Sequence, residues 1–265
     1  MSPLTTSFTR NALAALVGLG CLAGAQAQTM APGVLKVGLE ATYPPFESYD
    51  GDKIVGFDPD LTALLTREMK LKPALTDTKF VNLIPGLAAG QHDAVISGLY
   101  ITPERLAQAD AVPYASSGAL IMVAKDSKAQ PKTEKDLCGL KVGLQAGTSW
   151  VKLLKTLSDD YCKSANKGAI TVMEFPTAPE VSQAMMSKNV DAQLEIAGAA
   201  KMIVEKTKGR VAISSPDLVY PQTLGIYVKK GNTALKQSFE TAMAAIRKTG
   251  EYDALIKKYE LTPVK

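Results

Sequence analysis

Apolar and polar positions alternate through Leu35-Lys36-Val37-Gly38-Leu39, which predicts a strand ending at Glu40. The pattern recurs 105 positions later as Leu140-Lys141-Val142-Gly143-Leu144, ending at Gln145. Asp93-Ala94 and Asp191-Ala192 form a second echo, each opening an apolar strand after a predicted helix. The first of these helices spans about Asn82 to Gly90, with the glycine as its stop. The second starts near Thr177, carries Pro179 in its first turn and ends at Asn189. Two echoes in the same order predict two similar α/β lobes, with parallel or mixed sheets covered by helices. Another helix begins at Phe57-Asp58-Pro59, with Asp58 as cap and Leu61, Leu64, Leu65 and Met69 as its apolar stripe. Leu235 to Ile246 and Tyr252 to Tyr259 read as two helices broken at Gly250.

One segment fits neither lobe. Ala12 to Ala25 is almost wholly apolar, follows Arg10 and precedes Ala25-Gln26-Ala27. That is the form of a secretory signal peptide, residues 1–27, cleaved after Ala27. No other apolar run approaches the roughly 18 residues of a membrane helix. Export bears on the cysteines, because Cys21 leaves with the signal while Cys138 and Cys162 remain. An even pair in an oxidising compartment predicts a disulfide.

Composition then narrows the chemistry. The 265 residues are 46% hydrophobic and 21% charged, an ordinary globular balance. A net charge of +4, with both signs mixed along the chain, gives no nucleic-acid surface. The single histidine, His92, excludes any site that needs two imidazoles. Asp58 and Asp60 read as helix-start residues rather than as metal ligands, so no metal and no cofactor is expected.

Ligands of open α/β sheets bind beyond the carboxyl ends of the strands. Glu40 and Gln145 end the two repeated strands, and Ser97 and Glu195 each lie four residues after the repeated aspartate. These four are expected to line a cleft between the lobes. Arg105 stands in the first turn of a helix capped by Thr102, where a cation opposes the helix dipole by about 0.3–1 kcal/mol. Such a placement suits a guanidinium that holds a carboxylate in its planar fork. Gly147-Thr148-Ser149 is the matching anion site in the second lobe, and Ser149 also reads as a helix cap. Tyr43 and Phe80 are candidate aromatic walls, whereas Phe46 and Phe57 read as core.

These residues together resemble the bacterial extracytoplasmic solute-binding proteins, family 3, that serve amino-acid importers. The matching stretches are Leu35–Phe46, Gly56–Leu61, Leu83–Leu87, Asp93–Arg105, Gly143–Ser149 and Gly250–Leu261. The resemblance implies a two-lobed, type II periplasmic-binding-protein-like α/β fold whose lobes are joined by two crossover strands. It places lobe 1 at 28–123 and 222–265, and lobe 2 at 124–221. It implies a monomer in the periplasm that closes on an amino acid or related carboxylate and docks on the permease of an ATP-driven importer. Arg105 and Thr148 resemble the family's carboxylate clamp. Ser97 and Gly98 resemble its polar contacts, Tyr43 and Phe80 its aromatic walls. Glu40 stands where members taking cationic side chains often carry an acid.

Two positions depart from the pattern. Ile196 stands where an ammonium-binding aspartate is usual, with Glu195 beside it, and Tyr100 replaces a small hydroxyl residue. Two other readings compete. One is an exported enzyme on the same scaffold, resembling cyclohexadienyl dehydratases that act on prephenate or arogenate, with Glu195 or Glu40 as general acid. The other is a ligand sensor for a membrane receptor.

Overall fold

The computed structural model describes residues 29–264, so the expected signal peptide lies outside the described residues. The chain opens with β1 (Val34–Leu39), then β2 (Thr42–Tyr43), β3 (Glu47–Asp50) and β4 (Lys53–Val55). Next come α1 (Phe57–Glu68), β5 (Lys72–Asp77), α2 (Leu83–Ala88), β6 (Ala94–Val95) and α3 (Pro103–Gln108). A 16-residue strand, β7 (Ala109–Ala124), leaves this half. The second half comprises β8 (Lys141–Gln145), α4 (Ser149–Leu157), β9 (Thr171–Phe175), α5 (Ala178–Met186), β10 (Ala192–Ile196), α6 (Ala197–Lys206) and β11 (Val211–Ile213). The chain returns along β12 (Val219–Lys229) and ends in α7 (Thr233–Lys248) and α8 (Glu251–Lys258).

Hydrogen bonds join the strands in the order β5-β1-β6-β12-β7-β10-β8-β9. Within each half the pairing is parallel, β5-β1-β6 and β10-β8-β9. The two long strands run antiparallel to each other and to their neighbours. The first part of β7 pairs with β12 from Ala109 to Ser117, and its last part with β10 and β11. The β7–β12 register slips between Val219 and Gln222, where the chain passes from one lobe to the other. Two lobes joined by two crossover strands follow directly.

The repeat has a physical basis. Asp93 accepts the Lys36 amide with Oδ2 at 2.8 Å and returns its own amide to the Lys36 carbonyl at 2.9 Å. Asp191 does the same with Lys141, at 2.8 Å in both directions. Each aspartate pins the start of one strand beside the start of another, so the strands after them end level. Packing then covers the sheets. Phe46 and Phe57 are fully buried, and Phe57 stacks on Tyr114 at 5.7 Å with Tyr259 edge-on at 5.4 Å.

Three local expectations are corrected. Gly56, not Asp58, is the cap position of α1, and Asp58 is buried in the first turn with its carboxylate turned to Gly98. The cap of α4 is Thr148, so Ser149 is the first helical residue and caps nothing. Helix α5 ends at Met186, ahead of Asn189, because Lys188 turns the chain with φ at 64°.

Cys138 and Cys162 are joined, with Cα atoms 5.5 Å apart and a separation of 24 positions along the chain. Closing that loop contributes about 3 kcal/mol in the chain-entropy model. The double variant Cys138→Ser/Cys162→Ser is therefore expected to melt about 6–12 °C lower. An unchanged melting temperature would show that packing alone holds the segment from Cys138 to Cys162, which contains β8 and α4.

Candidate functional site

The repeated strands end opposite one another, and their last side chains meet. Gln145 Nε2 donates to Glu40 Oε2 at 2.5 Å, joining the end of β8 to the end of β1. The Phe80 amide donates to the other Glu40 oxygen at 3.2 Å. Burial raises the Glu40 pKa, opposed by these two donors. Beside this pair the Tyr43 hydroxyl donates to Glu195 Oε1, again from one lobe to the other.

Glu195 is 3% exposed, and both its oxygens are engaged. Oε1 also accepts the Ile196 amide at 2.9 Å, and Oε2 accepts Gln193 Nε2 at 3.1 Å. Burial outweighs these donors and holds the Glu195 pKa up at about 7. Its alternation on β10 brings Glu195 to the cleft side, as its spacing from Asp191 anticipates. Ile196 is fully buried in the core.

Arg105 reaches across the same cleft. Thr102 Oγ1 accepts the Arg105 amide at 3.3 Å, and Pro103 starts the helix, as the sequence predicts. The guanidinium donates to the Tyr100 carbonyl at 2.7 Å and to the Gly147 carbonyl, in the opposite lobe, at 3.1 Å. It lies over the Phe80 ring at 5.6 Å. Among the described residues no carboxylate pairs with it. Burial pulls its pKa down. Gly147 has φ at 80°, and a Cβ there would lie 3.1 Å from Val81 of the facing lobe. Close approach of the lobes at Arg105 therefore requires glycine.

These groups surround a small cavity of about 10 Å³. Tyr43, Phe80, Gly98, Tyr100 and Arg105 line it from one lobe; Gln145, Thr148, Ser149 and Trp150 line it from the other. Toward solvent it continues, past Arg105 and Thr148, into a groove of about 520 Å³ walled by Ile84, Leu99, Ile101 and Leu153. The Glu104–Lys152 ion pair spans the lobes on that rim.

Of the predicted residues, Glu40, Ser97 and Glu195 lie outside the lining of this cavity and Gly147 lines only the groove; two also differ in role. Ser97 does not present its hydroxyl to the cleft: it accepts the Glu40 amide at 3.0 Å and donates to Glu47 Oε1 at 2.7 Å. Thr148 likewise turns its hydroxyl back to the Gln145 carbonyl at 2.8 Å. Gly98 lines the cavity with φ at 56°, and a Cβ there would meet the Tyr43 ring at 3.4 Å. Its amide is taken by Asp58 Oδ2 at 2.7 Å.

Sequence reasoning missed the acids beneath this wall. Glu47 and Asp58 are both fully buried and face each other under Gly98. Burial and the Asp58 charge push the Glu47 pKa well up; burial holds that of Asp58 near 6. Trp150 was also missed as a cleft residue. Its place directly after Gly147-Thr148-Ser149 was the available signal.

Residues 35–262 match the bacterial extracellular solute-binding proteins, family 3. The chain belongs to that family. It is 30% identical over 263 residues to the L-cystine-binding protein TcyJ of Escherichia coli K12, covering 94% of this chain and 95% of the relative. It is 31% identical to ABC transporter arginine-binding protein 1 of the same strain, covering 83% and 88%. A solved ancestral arginine-binding protein bound to arginine is similar at 33% identity with a TM-score of 0.77, covering 86% and 98%. All three are named as binding proteins.

Proposed function

We propose that this protein captures a small carboxylate-bearing solute, an amino acid in the first instance, between its two lobes and delivers it to the permease of an ATP-driven importer. One observation carries the reading: among the described residues Arg105 enters the cleft with no carboxylate partner, while its fork bridges to the other lobe through a carbonyl. A solute carboxylate supplies the missing anion, with two parallel, charge-assisted hydrogen bonds. The moving bodies are 28–123 with 222–265, and 124–221. The crossing of β7 and β12 supports the limit near 222 and draws the other back from 123 toward Ser117, because Ala119–Met122 pair with β10 of the second lobe. The solute enters while the lobes are apart, and closure is a population shift driven by contacts that need both lobes. Export to the periplasm as a monomer completes the reading; the Cys138–Cys162 bond suits an oxidising compartment.

Glu195 is the acid available to a solute ammonium, because Ile196 offers none. Glu195→Gln is expected to weaken solutes with an α-amine more than their amine-free counterparts, read by calorimetry on L-arginine and its 2-oxo acid. Equal loss for both would remove Glu195 from the ammonium contact. The main test is a thermal-shift screen of residues 28–265 with L-amino acids and amine-free acids. A solute at about a thousandfold its Kd adds about 4 kcal/mol, a shift on the order of 10 °C. No shift with any carboxylate would sink the reading.

A second reading rests on the same Glu195. A buried carboxyl near neutrality, beside Tyr43, has the properties of a general acid in a dehydratase-like enzyme. The binding reading is preferred because the chain belongs to a family of solute-binding proteins and its similar relatives are named as binding proteins. Turnover of prephenate or arogenate by the purified protein would reverse that preference.

A further inference from the structure

The polar atoms around the cleft are almost all satisfied within the protein, and the exceptions point to the solute. Glu40, Glu195 and Thr148 each have partners in place. Tyr100 Oη, from the facing lobe, is buried without one, and so are Ser149 Oγ and Trp150 Nε1 of α4. Both residues follow Gly147 in the first turn of α4, and both line the cavity that Arg105 lines. Trp150 is 3% exposed. Its ring is held by the edge of Tyr100 from the facing lobe, with centroids 5.7 Å apart and planes at 68°. A buried donor left unpaired is costly, and native structures rarely leave one so.

The chemistry of the lining fixes what the missing partner is. An indole nitrogen only donates, and a guanidinium only donates. An acceptor oxygen is the partner that the Arg105 guanidinium and the Trp150 indole share, and the Ser149 hydroxyl can donate to it as well. We infer that Trp150 is a binding residue, its indole N–H donating to an oxygen of the solute carboxylate beside the Arg105 fork. The inference rests on the proposed solute-binding function. Tyr100 takes part by fixing the angle of the indole, so the two bulky residues act together: one sets the ring, the other makes the bond. The contact between them also forms only when the lobes meet.

The chain contains one tryptophan, which makes the test direct. The wild-type protein is first titrated by tryptophan fluorescence with the twenty L-amino acids and L-cystine. Trp150→Phe, which keeps a ring against Tyr100 but removes the N–H, is then titrated by calorimetry with every amino acid that bound. Affinity is expected to fall about tenfold, and by the same factor for each, because all share the carboxylate. Unchanged affinity, or losses that follow the side chain, would overturn the assignment. A second measurement does not depend on the variant folding. The single indole N–H resonance of the ¹⁵N-labelled wild type is expected to move downfield and gain exchange protection on saturation with a bound amino acid. A resonance that stays in place overturns the inference while leaving the solute-binding function standing. Failure of the wild type to bind this panel or any of the amine-free acids overturns both.

Discussion

Arg105→Ala is expected to weaken amino-acid binding by at least about a hundredfold, with the melting temperature of the free protein nearly unchanged. The size follows from what the guanidinium does. A charged hydrogen-bonding partner removed from a desolvated site costs about 2–5 kcal/mol, much of it from the charge left alone. In this cleft the group left alone is the solute carboxylate. The small effect on the free protein follows from the partners of Arg105, two carbonyl oxygens and the Phe80 face, none of which is a charge stranded by its loss. Arg105→Lys keeps the charge but loses the fork, and is expected to fall between the two. Calorimetric titration of both variants with whichever amino acid the thermal screen selects decides the matter. Near wild-type affinity in Arg105→Ala would place the carboxylate elsewhere.

The second large effect is on stability against pH. The free protein is expected to lose stability as pH rises from about 5 to about 8, and Glu195→Gln to remove part of that loss. In the folded chain Glu195 keeps its proton up to about pH 7, whereas an unfolded glutamate releases it near the ordinary value of 4.5. The folded state therefore binds the proton more tightly. The stability this contributes is whole below about pH 4.5 and disappears as pH climbs through 7, amounting to about 3 kcal/mol. Asp58, held near 6, and Glu47, pushed well up, act in the same direction, so a slope remains in the variant; His92, whose pKa burial lowers, opposes them. Glutamine retains an oxygen for the Tyr43 hydroxyl, which keeps the lobes in register. Urea unfolding of both proteins at pH 5 and pH 8 measures the difference. Identical pH dependence in Glu195→Gln would show that Glu195 is ionised in the free protein.

The pH effect and the binding effect are connected. A buried acid without a cation beside it is held protonated by burial, and an ammonium brought next to it favours the ionised form. The groove beyond Arg105 offers a longer solute the apolar walls of Ile84, Leu99, Ile101 and Leu153, with the Glu104–Lys152 ion pair at its rim.

Much of this architecture was legible before any coordinates. The repeated Leu-Lys-Val-Gly-Leu strands and repeated Asp-Ala steps identified two like lobes, because strand alternation and level strand ends are local properties. The same spacing selected Glu40, Gln145 and Glu195, and the opposed dipole selected Arg105. Helix starts at Thr102 and Thr177 were equally plain, since a capping hydroxyl and a following proline act within one turn. What only the tertiary structure decided is which partner each polar atom takes. Asp58 has the residue type of a cap, yet it serves Gly98, 40 positions away. Ser97 has the place of a cleft residue, yet Glu47 and the Glu40 amide occupy its hydroxyl. Trp150 reads as one more apolar helix residue until the opposite lobe brings Tyr100 against it and leaves its N–H unpaired. Spacing along a chain determines which face a side chain occupies, because backbone geometry is periodic. Its hydrogen-bond partner is determined by segments far away in sequence that only folding brings near.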